Sequence, residues 1–173
     1  DVAHYVPVNS ALDNEAFTRG NSVYFPGRVV PMLPEKLSNN LCSLVPNRDR
    51  LAHSVYMEFT PEGQRVASRV HKSVIRSVHR CTYRIVQELL DGVDSEETRA
   101  IKYLAEDLKR FRDWTRRQQK IRDERGSLRM DSSERKFVFN DEHEVQAIVD
   151  SDKYFSQTLI EETALAANQA VGD

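Results

Sequence analysis

Cysteine is nearly absent: Cys42 and Cys81 are the only two in 173 residues. Two thiols so far apart make neither a disulfide framework nor a zinc knuckle, so a reducing, cytoplasmic setting is the expectation. Long apolar runs are missing too. No stretch approaches the ~18 residues of a membrane span, and no basic start followed by an apolar stretch marks a secretory leader. Internal repeats and low-complexity segments are lacking. So is any large excess of charge: 25 Lys and Arg against 27 Asp and Glu leave a net charge of -2, which excludes a uniformly basic nucleic-acid coat. What is present has the size of one domain, or of part of a larger one. A compact chain of this length can bury roughly 70% of its unfolded surface. It begins at Asp1, without a Met.

Local pattern predicts a mixture of helices and strands. Val2, His4, Tyr5, Val6 and Val8 are β-prone and read as a strand stopped by Pro7 and Asn9. Asn9 or Ser10 caps a short helix that Gly20 ends. A β-like piece over 22–30 is interrupted by Pro26 and Gly27, and Pro31, Pro34 and Pro46 exclude a long regular element after it. From Leu51 to Thr60 the odd positions are mostly apolar, Leu51, Val55, Met57 and Phe59 with His53 as the exception, a period of two. Thr60 to Gly63 is a turn. Val66, Val70, Val74 and Val78 then recur every four residues, which suits a helix or a strand; β-branching and the preceding turn decide for a strand. Tyr83 to Leu90 reads as a helix ended by Gly92. Ser95 caps a long helix that carries Ile101, Leu104, Leu108, Phe111, Trp114, Gln118 and Ile121 as far as Arg125. Two β-like pieces, 127–130 and 136–148, precede a final helix over 159–171, with Leu159, Ile160, Ala164, Leu165 and Ala167 on one side. The fold class is α+β.

Near-neutrality conceals segregation. No acid lies between Gly63 and Gln87, where Arg65, Arg69, Lys72, Arg76, Arg80 and Arg84 all occur. The long helix adds eight bases around Trp114, whereas after Val138 Lys153 faces eight acids. Such a middle is either a surface that tracks a phosphate backbone or a solvated helix face with cross-strand ion pairs. Isolated constellations assign no reaction. Asp141, Glu142, His143 and Glu144 read as a solvated turn, since consecutive residues seldom converge on one ion. His4, His53, His71 and His79 have no ligand-spaced partners. Cys42 lacks an adjacent base and reads as a buried thiol. Glu161 and Glu162 are neighbours on a helix, pointing about 100° apart.

A more specific pattern lies at Ser22-Val23-Tyr24-Phe25-Pro26, Pro31-Met32-Leu33-Pro34-Glu35 and Leu37-Ser38-Asn39-Asn40-Leu41-Cys42-Ser43-Leu44. These blocks resemble the catalytic domain of the ribonuclease II / ribonuclease R family. The likeness continues through Asp1 to Val6, Ala11-Leu12-Asp13, Arg19-Gly20, Asp49-Arg50-Leu51, Thr82-Tyr83, Glu124-Arg125-Gly126, Glu134 with Phe137, and Leu159-Ile160-Glu161-Glu162 with Ala166-Ala167-Asn168. It therefore covers essentially the whole chain, in order.

The resemblance implies an incomplete ribonuclease II-type catalytic domain, with mostly antiparallel strands and surrounding helices. It implies an enzyme that degrades single-stranded RNA from its 3′ end to nucleoside 5′-monophosphates, with Mg²⁺ held by an aspartate cluster. In the family that cluster precedes the segment matching Asp1, and an arginine motif follows the segment matching Asp173. No catalytic or metal-binding residue is therefore expected in this chain, which is expected to be inactive alone. Processive mononucleotide release from labelled poly(A) by the isolated chain with Mg²⁺ would contradict this. The RNA-binding residues carried over are Tyr24, an aromatic stacking on bases at the 3′ end, and Tyr83, near the terminal nucleotides. Met130 stands in place of the second aromatic of the base clamp, and Glu161 takes part in selecting ribose. Met130 departs from the family pattern, as does the run Lys153-Tyr154-Phe155-Ser156-Gln157. These departures keep a second expectation open, a catalytically dead relative that binds RNA or protein. A third is an interaction protein using the apolar stripe of the long helix.

Overall fold

The computed structural model describes residues 1–128, 135–140, 142 and 144–173. They divide into two units. The first comprises Asp1–Ser54, His71–Arg80 and Arg135–Val149; the second comprises Val55–Val70, Cys81–Glu134 and Asp150–Asp173.

The first unit opens on a single helical turn, α1 (Val2–Tyr5), and not on a strand. Val6 N–H closes the turn on Val2 O at 3.0 Å. Pro7 disfavours helical backbone at Val6, which stands at φ -123° and ψ 82°, so the turn cannot extend. Helix α2 (Ala11–Arg19) is capped by Ser10, whose Oγ accepts from Asp13 N–H at 3.2 Å, and it ends at Gly20 with φ 73°. Strands β1 (Val23–Phe25) and β2 (Arg28–Val30) form an antiparallel hairpin with Tyr24 opposite Val29. Arg19 and Ser22 fasten it: Arg19 Nη1 donates to Pro31 O at 3.0 Å, and Met32 N–H donates to Ser22 Oγ at 2.9 Å. The proline-punctuated stretch contains one wide π-helical turn, Lys36–Leu41, which buries Leu37.

Strands β3 (Asp49–Phe59) and β4 (Arg65–Arg76) form a long hairpin. Its base lies in the first unit, where Ser54 Oγ and Ser73 Oγ are 2.7 Å apart. In the second unit the period of two holds from Val55 to Phe59: Tyr56 and Glu58 are exposed while Val55, Met57 and Phe59 are half-buried. The valines Val66, Val70, Val74 and Val78 are all exposed. Strands β5 (Arg135–Phe139) and β6 (Val145–Asp150) make a third pair. Asn140 organises their turn, its Oδ1 accepting from Glu142 N–H at 3.0 Å and Glu144 N–H at 2.8 Å. Residues 127 and 128 form no strand; Met130, Asp141 and His143 lie outside the described residues.

The second unit is helical. Thr82 caps α3 (Tyr83–Leu90), and Ser95 caps α4 (Glu96–Ala100) in a reciprocal box with Thr98. The expected single helix from Ser95 to Arg125 is broken. Ile101 leaves helical backbone at φ -111° and ψ 11°, a 3₁₀ turn covers Lys102–Leu104, and α5 runs Ala105–Glu124. A 3₁₀ turn has three residues per turn, so apolar residues spaced three or four apart do not register the break. Ile101 is completely buried at the break, worth roughly 1.5–3 kcal/mol. Helix α6 (Phe155–Gly172) packs on α3 and α5. Its buried face is Ser156, Leu159, Glu162, Ala166 and Ala170, which shares only Leu159 with the apolar side predicted: Leu165 and Ala167 are half-buried, Ile160 is 51% exposed and Ala164 is exposed too. The tip of the β3–β4 hairpin seats on α5 through Gly63, whose carbonyl accepts from Gln118 Nε2 at 2.6 Å. Gly63 has φ +96°, and a Cβ there would lie 3.0 Å from Gln118 Nε2, so a side chain would be both strained and crowded. Phe59 meets Trp114 edge to face at 5.2 Å.

Thr115 is completely buried on α5, and its Oγ1 has no hydrogen-bond partner among the described residues. An orphaned buried hydroxyl costs about 1–3 kcal/mol, and Val matches Thr in shape and helix propensity. Thr115→Val is expected to stabilise the protein by about 1 kcal/mol, seen as a higher unfolding midpoint. A lower midpoint would mean that the hydroxyl is used.

Candidate functional site

The basic middle resolves into ion pairs. Within the first unit Lys72 Nζ is 3.3 Å from Asp1 Oδ2 and Arg76 Nε is 2.6 Å from Asp49 Oδ1. The Arg76 hydrogen bond holds the Asp49 carboxyl below the usual carboxylate range. Within the second unit Arg65 pairs with Asp173, Arg69 lies 3.8 Å from Glu58, and Arg84 reaches both Glu88 and Glu97 at 2.7 and 2.6 Å. On α5, Lys109, Arg110, Arg112 and Lys120 face Glu106, Asp107, Asp113 and Glu124, while Arg116 lies over the Phe155 ring at 5.4 Å. Most of the bases that suggested a phosphate-tracking surface thus have a carboxylate beside them. Cross-strand and intrahelical pairing explains the pattern better than a phosphate track does.

Tyr24 belongs to the first unit. Its hairpin is pinned by Arg19 and Ser22, and its ring is 77% exposed, beside the exposed Val23 and Phe25. A phenol held out on a short fastened hairpin is available for stacking.

Tyr83 and Glu161 belong to the second unit. Thr82 starts α3 at Tyr83, its Oγ1 accepting from Ile85 N–H at 3.3 Å, and the Tyr83 side chain is part-exposed. The Tyr83 carbonyl accepts from Ser156 Oγ at 2.7 Å, and Ser156 N–H donates to Gln87 Oε1 at 3.1 Å. Buried Ser156 thereby ties the first turn of α6 to α3, five residues before Glu161. Glu161 is exposed, and its neighbour Glu162 is buried. The two carboxylates diverge as consecutive helix residues must, yet Arg122 of α5 reaches both, at 3.4 Å from Glu161 and 3.1 Å from Glu162.

Neither Arg122 nor Ser156 stood out in the sequence. The signal was there: Leu108, Phe111, Thr115, Gln118 and Arg122 follow one face of α5 at spacings of three and four. A charge in such a row needs an opposite charge from a facing element. Glu162 supplies it from the corresponding row of α6. Among the described residues no group of three or more His, Cys, Asp or Glu is placed to hold a metal ion, and no helix is long and apolar enough to cross a membrane. Cys42 is half-buried and Cys81 exposed, both as free thiols.

With this geometry in view, the relatives are informative. The RNB domain family matches residues 1–173. Ribonuclease R of Chlamydia pneumoniae is 42% identical over 172 residues, 99% of this chain and 24% of the relative. Among solved structures, Mycoplasma genitalium RNase R in complex with ribose-methylated single-stranded RNA superposes with a TM-score of 0.88 at 32% identity, covering 98% of this chain and 26% of that one. The same enzyme in complex with double-stranded RNA gives 0.89 at 32% identity, covering 99% and 30%. The chain spans about a quarter of the length of the curated relatives it matches. Matched from its first residue to its last, with the mixed helices and antiparallel hairpins of that fold, the chain belongs to the RNB-domain family of ribonucleases.

Proposed function

We propose that this chain is part of the catalytic domain of a 3′–5′ exoribonuclease that processively hydrolyses single-stranded RNA to nucleoside 5′-monophosphates, and that it lines the path of the RNA 3′ end. The observation that carries this reading is whole-chain similarity to ribonuclease R, including a relative solved with single-stranded RNA. Tyr24 stacks on a base. Stacking suits an enzyme indifferent to sequence, because every base offers a π-face. Tyr83 and Glu161 meet the terminal ribose, where a phenol and a carboxylate can engage the 2′-hydroxyl that separates RNA from DNA. Support comes from the exposure of both side chains and from the Ser156 tie that holds α6 to α3. The described residues do not gather a donor set suited to Mg²⁺, so the step that would use the metal is not assigned to them. Their part is to bind, orient and discriminate.

Incubating the complete protein with Mg²⁺ and single-stranded RNA, labelled throughout in one sample and at the 5′ end in another, tests the reading. The expected products are mononucleotides released from the 3′ end, with uncut RNA persisting beside fully degraded RNA. Retention of RNA without cleavage would instead establish a catalytically dead RNA-binding relative, and absence of RNA binding would overturn both. Met130 grips the last bases less firmly than an aromatic, because a thioether supplies no π-face. Met130→Phe is expected to tighten single-stranded RNA binding by about fivefold or more. Unchanged affinity in a filter-binding titration would remove Met130 from the base clamp.

A further inference from the structure

Arg122 lies between two carboxylates that have different surroundings. Glu162 is 2% exposed, Arg122 19% and Glu161 58% at the side chain. One guanidinium nitrogen, Nη1, stands 3.1 Å from Glu162 Oε1 and donates to Glu161 Oε1 at 3.4 Å. A surface carboxylate paired with a long flexible base is ordinarily held loosely, because ordering both side chains offsets the weak attraction. Arg122 differs from such a base. It arises from the packed face of α5, and its charge is fixed at the inner end by buried Glu162. Its Nε is buried with no hydrogen-bond partner among the described residues. Its position extends a buried charge outward to the exposed carboxylate.

We propose that Arg122 is a positioning residue for ribose selection. Anchored by Glu162, it holds the Glu161 carboxylate in one orientation, so that Glu161 meets the 2′-hydroxyl of the terminal nucleotide without first being ordered. The inference rests on the reading of Glu161 as a ribose-contacting residue. Its consequence is that discrimination between RNA and DNA depends on α5, a helix that need not touch the substrate. Prior ordering of the carboxylate adds to discrimination because the ordering cost is met before binding.

The experiment uses the complete protein and two oligonucleotides of one sequence, one all-ribose and one with deoxyriboses at its 3′-terminal positions. The readout is the ratio of their kcat/KM values. Arg122→Met with Glu162→Leu removes the pair together and leaves no buried charge unpaired. Arg122→Gln with Glu162→Gln does the same with amides, as a second route should the first not fold. Glu161→Gln alone is expected to lower the ribose preference about 2- to 10-fold, the range of one net hydrogen bond. Either paired variant is expected to lower it comparably, and adding Glu161→Gln to a paired variant is expected to change it no further. If a folded paired variant slowed both oligonucleotides equally and kept the wild-type ratio while Glu161→Gln lost it, Arg122 would be structural only and the proposal would be wrong. Effects that multiply in the combined variant would also overturn it. A wild-type ratio for Glu161→Gln would remove the ribose role of Glu161 itself, and the inference with it.

Discussion

Replacing Tyr24 with alanine in the complete protein lowers affinity for single-stranded RNA by about 5- to 150-fold, the range that one base–aromatic stack of roughly 1–3 kcal/mol supplies. The expectation follows from where the ring sits. Tyr24 is the central residue of a three-residue strand, opposite Val29, and its side chain is 77% exposed. Removing an exposed ring with little packing to lose changes stability by no more than about 0.5 kcal/mol. The loss should therefore appear in binding and not in the unfolding midpoint. Tyr24→Phe keeps the π-face and is expected to retain most of the affinity. Loss of binding by both variants would point to the hydroxyl, and normal binding by Tyr24→Ala would take the hairpin out of the RNA path.

Leu159→Ala is expected to destabilise the protein by about 2–5 kcal/mol, the range for a leucine removed from a packed core. Leu159 is 2% exposed on the face of α6 that packs against α3 and α5. Ile160→Ala, one residue on, is expected to change stability by about 0.5 kcal/mol or less, because Ile160 is 51% exposed. Comparing the two by denaturant unfolding reads the orientation of α6 directly. Equal effects would mean that the helix presents another face, and the Glu161–Arg122–Glu162 geometry would have to be redrawn.

That orientation marks the limit of what the sequence revealed. Chain punctuation was legible, because caps and turns are written in short-range chemistry. Ser10, Ser95 and the Thr60–Gly63 turn stand where their side chains and backbones require. Alternation in β3 was legible from Val55 to Phe59 but not before it, where Ala52 is buried and His53 exposed. The first residues were misread because β-prone side chains say little about a segment only one turn long, where Pro7 sets the boundary. The break at Ile101 was hidden because a 3₁₀ turn preserves the spacing of apolar residues. The buried face of α6 was misassigned because apolarity was taken as the marker of burial, while two of its five buried residues are Ser156 and Glu162. Each faces a polar partner on another helix. Such partners, the Tyr83 carbonyl and Arg122, are tertiary facts that no window of sequence contains. The family resemblance placed Tyr24, Tyr83 and Glu161 by position in a motif; it could not say that Arg122 stands behind Glu161.

Photocrosslinking reads whether these residues line the path of the RNA 3′ end. The complete protein, held from turnover by a chelator, is bound to RNA carrying 4-thiouridine at its last three positions, irradiated and digested. Crosslinked peptides that contain Tyr24, Tyr83 or Glu161 are expected. Crosslinks confined to segments outside residues 1–173 would contradict that placement.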